Sequence, residues 1–139
     1  MEVIQDELEL ETAGHGHVYD VTARVTEWLR TVGAVDGVVT VHIPGSTAGI
    51  TTIEFEAGAV RDFCEALERI APSDRSYHHD LRWHDGNGFS HLRAGLIGPS
   101  LTVPIARGSL ILGTWQQIVL IDFDTRPRRR TLHLSVVGV

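Results

Sequence analysis

A chain of 139 residues, 42% hydrophobic and 22% charged, has the size and composition of one soluble globular domain. Its net charge of −6 gives no electrostatic footprint for nucleic acid, and all 12 basic residues are arginine, which excludes lysine Schiff-base chemistry and a P-loop. The single cysteine excludes an internal disulfide, no apolar run approaches the length of a membrane span, and the acidic N-terminus is not a signal peptide, so a cytoplasmic protein is expected.

The elements follow in chain order. "ELELE" at 7–11 alternates acids with leucine, the pattern of an edge strand with Leu8 and Leu10 inward. "GHGH" breaks it. From Thr22, the residues Val25, Trp28, Leu29 and Val32 fall at helical spacing, with Asp20 or Thr22 as N-cap and Gly33 as the stop. "GVVTVHI" at 37–43 and "ITTIEF" at 50–55 read as strands joined by the turn "PGSTAG". Residues 60–71 form an amphipathic helix ended by Pro72, with Cys64 on its apolar stripe as a buried packing thiol.

A loop is expected from Pro72 to Ser90, and after it nearly all strand: "HLRAGLIG", "SLTVPIA", a long "SLILGTWQQIVLIDF" bent at Gly113, and "RTLHLSVVGV". The parity of Trp115 with Val119 and Ile121 puts it in the core, and Gln116 faces the other way with Asp122. The order predicts a single α+β domain over 1–139, a β-rich sandwich of about seven or eight strands with two helices packed on it.

Chemistry concentrates in "HHDLRWHDGNGFSH", residues 78–91, where four of the eight histidines sit with Asp80, Asp85 and Asn87. Imidazole with carboxylate is a ligand set for divalent ions and an acid–base pair near neutral pH. The spacing is diagnostic of neither. The turn "PGSTAG" has the composition to present backbone N–H groups to an anion. Glu54 must point away from the face taken by Ile53 and Phe55, towards solvent or a site. "RPRRR" at 126–130 is a basic patch, by default a solvated turn, able also to recruit an anion or a carboxylate partner.

Four motifs in this order resemble the YjbQ-like proteins, also called secondary thiamine-phosphate synthases. The resemblance runs from about residue 14 to the end. "GVVTVHIPGSTAGITTIE" is similar to the family's "GLVTVxxPHTTA…INE", and "HHDLRWHDGNGFSHL" to "HND…NAHAHL". "GSLILGTWQQI" and "FDTRPRR" are similar to its "GxLxLGTWQxI" and "FDxxRxR". The resemblance implies an α+β fold assembled as a homotrimer, with polar clefts near the subunit boundaries. It also implies a weak activity joining a pyrimidine methyl diphosphate to a thiazole phosphate with release of pyrophosphate. By motif position, His79 and His91 take the places of the loop histidines and Glu54 that of the strand acid. Ser46 and Thr47 match the hydroxyls, Asn87 the asparagine and Gln116 the glutamine. One position departs: Gly45 stands where the family has a histidine. His42, three residues upstream, points to the opposite strand face and is no substitute.

Two functions follow. In the first, the chain is a thiamine-phosphate synthase-like transferase. His79, His91 and Glu54 are its catalytic groups, and Ser46, Thr47, Asn87, Gln116 and Arg93 hold the anionic substrate. A divalent ion, Mg²⁺ or Zn²⁺, is the expected cofactor, with His79 and His91 as its ligands. In the second, the same groups hold a small phosphorylated or anionic ligand, or a metal, in a trimer that has lost turnover with the change to Gly45. Neither involves a nucleic-acid or membrane partner.

Overall fold

The computed structural model describes every residue from Met1 to Val139. Its elements are β1 (Glu2–Thr12), β2 (His17–Asp20), α1 (Thr22–Val32), β3 (Gly37–His42), β4 (Ala48–Glu54), α2 (Ala57–Ile70), α3 (His78–Trp83), α4 (Gly88–Ile97), β5 (Ser100–Ala106), β6 (Ser109–Leu110), β7 (Gln116–Asp122) and β8 (Arg128–Gly138). The α+β class holds. The strands form two antiparallel sheets, one of five in the order β1-β8-β3-β5-β6 and one of three in the order β2-β7-β4.

β1 is an edge strand, as its alternation predicts, paired with β8 from Glu2 opposite Gly138 to Thr12 opposite Arg128. The main core lies between the sheets. Val39 and Val41 of β3 and Leu132 and Leu134 of β8 meet Ile50 of β4 and Ile118 and Leu120 of β7, with Val25, Trp28 and Leu29 of α1 in the same cluster. β7 is buried on both faces. Val119, Ile121 and the following Phe123 enter a second cluster with Leu67 of α2 and Ala94 of α4. A strand covered on both sides needs a continuous apolar run, and "IVLI" at 118–121 is one. Each Leu or Ile fully buried there contributes about 1.5–3 kcal/mol.

Helix α1 and its Gly33 stop form where expected, Gly33 adopting the left-handed conformation at φ 71°. The N-cap, however, is Val21 rather than Asp20 or Thr22, and the Asp20 carboxylate accepts only the Thr22 N–H at 2.9 Å. Helix α2 starts three residues earlier than its apolar stripe, because the Glu56 carboxylate accepts the N–H groups of Gly58 and Ala59 at 2.8 Å each.

Four helices stand where two were expected. The region expected as an open loop contains α3, and "HLRAGLIG" is helix α4 rather than strand. Its inward residues Phe89, Arg93 and Ala94 have helical spacing, but an arginine among them hides the apolar stripe. α4 lies on β4 at Gly49, where a Cβ would come within 2.7 Å of Ile97 Cγ2. The expected long strand is broken. Gln116 folds back to accept the Gly113 N–H at 3.0 Å, so β7 begins only at Gln116. Strand parity therefore does not reach Trp115, which is 72% exposed instead of in the core. No helix is long and apolar enough to cross a membrane.

Candidate functional site

The β3–β4 turn, the α3–α4 junction and the β7–β8 connection meet around a cleft of about 500 Å³. The turn supplies Gly45, Ser46 and Thr47, and the junction Asp85, Asn87 and His91. The third wall carries Asp124, Thr125 and the arginines 126, 128 and 130; no residue lining the cleft is apolar.

His91 Nδ1 donates to the Ser46 carbonyl at 3.0 Å. A carbonyl can only accept, so Nδ1 carries the proton and the neutral ring keeps Nε2 free to accept a proton or bind a ligand. The His79 ring lies behind, its centroid 4.3 Å from that of His91. His79 Nδ1 is buried without a hydrogen bond, 3.4 Å from Asp85 Oδ1 and 3.8 Å from Asp80 Oδ1. Asp80 is already committed, accepting the N–H groups of Tyr77 at 3.0 Å and Gly88 at 2.9 Å. Those two bonds, with the His79 ring beside them, hold its carboxyl below the usual carboxylate range. Asp80 thus joins α3 to the start of α4 and sets where His79 and His91 stand.

Behind the arginine wall is a buried ionic network. Arg130 is 5% exposed and grips Asp122, itself fully buried, through Nε at 2.8 Å and Nη2 at 2.9 Å. Nη2 also donates to Thr47 Oγ1 at 2.7 Å, and that hydroxyl donates to Asp124 at 3.0 Å. Thr12 of β1 donates to Asp122, and Arg128 Nη1 to Asp124 at 3.0 Å. Burial opposes ionisation of Asp122, but Arg130, Thr12 and the Asp124 N–H outweigh it and hold the carboxyl below its usual range.

The residues expected from the sequence divide. His91, Ser46 and Asn87 line the cleft, with His79 against His91. Thr47 lines it too, but its hydroxyl is used in the network. Glu54 lies elsewhere in the chain. It ends β4 beside Gln116, about 20 Å from Ala48 at 3.3 Å per residue. Gln116 lines a separate groove with Ile97 and Ile111, and its amide donates to Thr52 at 3.1 Å. Arg93 does not reach the cleft. It is buried, donating to the Ala71 carbonyl at 3.0 and 2.9 Å and to Glu68 at 2.5 Å, where it closes the C-terminal end of α2. His78 and His84 are exposed at the ends of α3 and line no part of the cleft. His42 faces the outer side of the five-stranded sheet, bonded to Ser100.

The sequence marked the arginine patch without separating its members. It missed the buried pairing of Asp122 and Asp124, which directly follow or interrupt the apolar run of β7, with Arg130 and Arg128.

The family described as UPF0047 protein YjbQ-like matches residues 6–139. The chain belongs to the YjbQ-like family. A UPF0047 protein of Methanothermobacter thermautotrophicus is 40% identical over 138 residues, covering 99% of this chain and 94% of that one. One from Archaeoglobus fulgidus is 38% identical over 126 residues, covering 91% and 96%. Among solved structures, a YbjQ-like protein of unknown function from Sulfolobus solfataricus superposes with a TM-score of 0.94 at 28% identity over 99% of both chains. A hypothetical protein from Aeropyrum pernix does so with a TM-score of 0.90 at 34% identity over 100% of both.

Within this YjbQ-like chain, Gly45 has a backbone role of its own. Its φ of +116° is one that L side chains rarely adopt, and a Cβ there would sit 3.3 Å from Arg130 Nη1. A histidine at this position would need a different turn.

Proposed function

We propose that the cleft binds the phosphate end of a small phosphorylated metabolite, with His91 Nε2 as the group that exchanges a proton with it. The observation carrying this is the lining, three arginines and a histidine with a free Nε2, and no apolar residue. Guanidinium groups match phosphate oxygens bidentately, and Asn87 and the Ser46 hydroxyl add neutral hydrogen-bonding capacity. A thiamine-phosphate synthase-type condensation would use the same arginines to stabilise departing pyrophosphate. Its two heteroaromatic rings also want apolar or stacking walls. This cleft has none within one chain, so phosphate binding is the better supported half of that function.

A divalent ion has two routes in. Mg²⁺ would arrive with a diphosphate, keeping most of its water. Zn²⁺ would use His79 Nδ1, which has no hydrogen-bond partner, and Asp85, whose Oδ1 accepts the Asn87 N–H at 3.2 Å, with Asp80 close by. Asp80's oxygens are spent on backbone N–H groups, so this donor set favours weak binding. The expected homotrimer belongs to the same proposal.

Calorimetric titration with inorganic phosphate and a panel of phosphate monoesters tests it, followed by Zn²⁺ in the same instrument. Saturable phosphate binding that weakens in His91→Ala and Arg128→Gln is expected. Binding indifferent to both substitutions would place the ligand elsewhere.

A further inference from the structure

We propose that Gly45 opens an oxyanion subsite on Nη1 of Arg130, at the buried side of the cleft, which takes a tetrahedral phosphate group. This rests on the phosphate-binding function above and specifies which nitrogen does the holding.

Arg130 is almost wholly buried, and its three hydrogen bonds run through Nε and Nη2, to Asp122 and Thr47. They fix the guanidinium plane and leave Nη1 with no partner in the protein. Nη1 stays in contact with solvent at the cleft, so an oxyanion placed on it exchanges water for a charge-assisted hydrogen bond. Nη1 lies beside Gly45, on the cleft. Glycine keeps it reachable, whereas any side chain at position 45 would begin 3.3 Å away and cover it. Access and backbone conformation thus demand the same residue. The turn adds donors: the backbone N–H groups of Gly45, Ser46 and Thr47 donate to no backbone carbonyl. Glycine-rich turns with free N–H groups form anion concavities.

The charges around the subsite favour hydrogen bonding over bulk attraction. Asp122 largely offsets Arg130, and Asp124 is engaged by Thr47 and Arg128. Asp85 also lines the cleft and would repel an anion placed against it. A phosphate therefore belongs on the Arg130 side, its further oxygens turned to the backbone N–H groups and to His91.

The experiment is titration of the full chain with inorganic phosphate, read by calorimetry and by NMR of the arginine side-chain N–H signals. The expected result is a shift of the Arg130 signals on saturation. Affinity should fall about tenfold or more in Gly45→Ala, the loss of one charge-assisted hydrogen bond. Alanine at this φ strains the turn, so the Arg130 shift in the unmodified chain stands as an independent readout. Phosphate that moves only the Arg126 or Arg128 signals, with Gly45→Ala binding as before, overturns the subsite while leaving the cleft as a phosphate site. No binding at all overturns both.

Discussion

The buried guanidinium of Arg130 holds together residues from three parts of the chain. Asp122 ends β7, Thr47 precedes β4, and Thr12 ends β1. Removing one partner leaves the other charge buried and unpaired, so Arg130→Gln or Asp122→Asn should cost about 3–5 kcal/mol in denaturant unfolding. The carboxyl of Asp122 is held below its usual value in the folded chain. Its contribution is therefore fully present at neutral pH and is lost as pH falls through the folded value, in the acid range below about 4. A stability profile for Asp122→Asn should be lower at neutral pH, flatter on the acid limb, and closest to that of the unmodified chain at the lowest pH. An unchanged acid limb would mean that other carboxylates carry it.

Elements meet at the site because polar side chains tie their ends. Asp80 joins α3 to α4, and Arg93 of α4 reaches across to the last carbonyl of the α2 region at Ala71. Burial of a cation at a helix C-terminus suits the direction of the helix dipole. Arg93→Gln should lower stability by about 1.5–3 kcal/mol, since the lost bonds are charge-assisted and buried. It should leave phosphate affinity unchanged, because Arg93 is not in the cleft. Chemical denaturation and calorimetry on the same variant check the two halves separately. A loss of phosphate binding without loss of stability would return Arg93 to the binding role first expected of it.

The whole molecule leaves Leu81 and Trp83 of α3 and Leu92 and Leu96 of α4 exposed, between 43% and 67%. Apolar side chains gathered on two successive helices beside the cleft are the kind of surface that subunits cover. A homotrimer of the 15.3 kDa chain is the expected state in solution, measured by sedimentation at micromolar concentration. Leu92→Glu with Leu96→Glu should shift it to monomer without unfolding it. A monomeric unmodified chain would instead leave the cleft to act within one subunit.

Period alone settled much of this architecture. The alternation of "ELELE" and "GVVTVHI", the apolar stripes of α1 and α2 and the Gly33 stop are local patterns, and each formed where its spacing put it. Motif order likewise identified the family. Resemblance to the family's motifs singled out His79, His91, Asn87 and Ser46 from polar segments whose spacing alone is not diagnostic. Other features depended on contacts between residues far apart in the chain. α4 reads as a strand until Arg93 is seen to find its partners on α2. Trp115 reads as core until Gln116 turns the chain at Gly113. Glu54 shares a motif with the turn residues, yet the length of β4 carries it to the other end of the sheet. Arg126, Arg128 and Arg130 look alike in a run, and only their pairing made Arg130 a buried anchor and Arg126 an exposed rim. Hydrogen-bond partners and burial are properties of the packed chain, and the order of residues along it does not contain them.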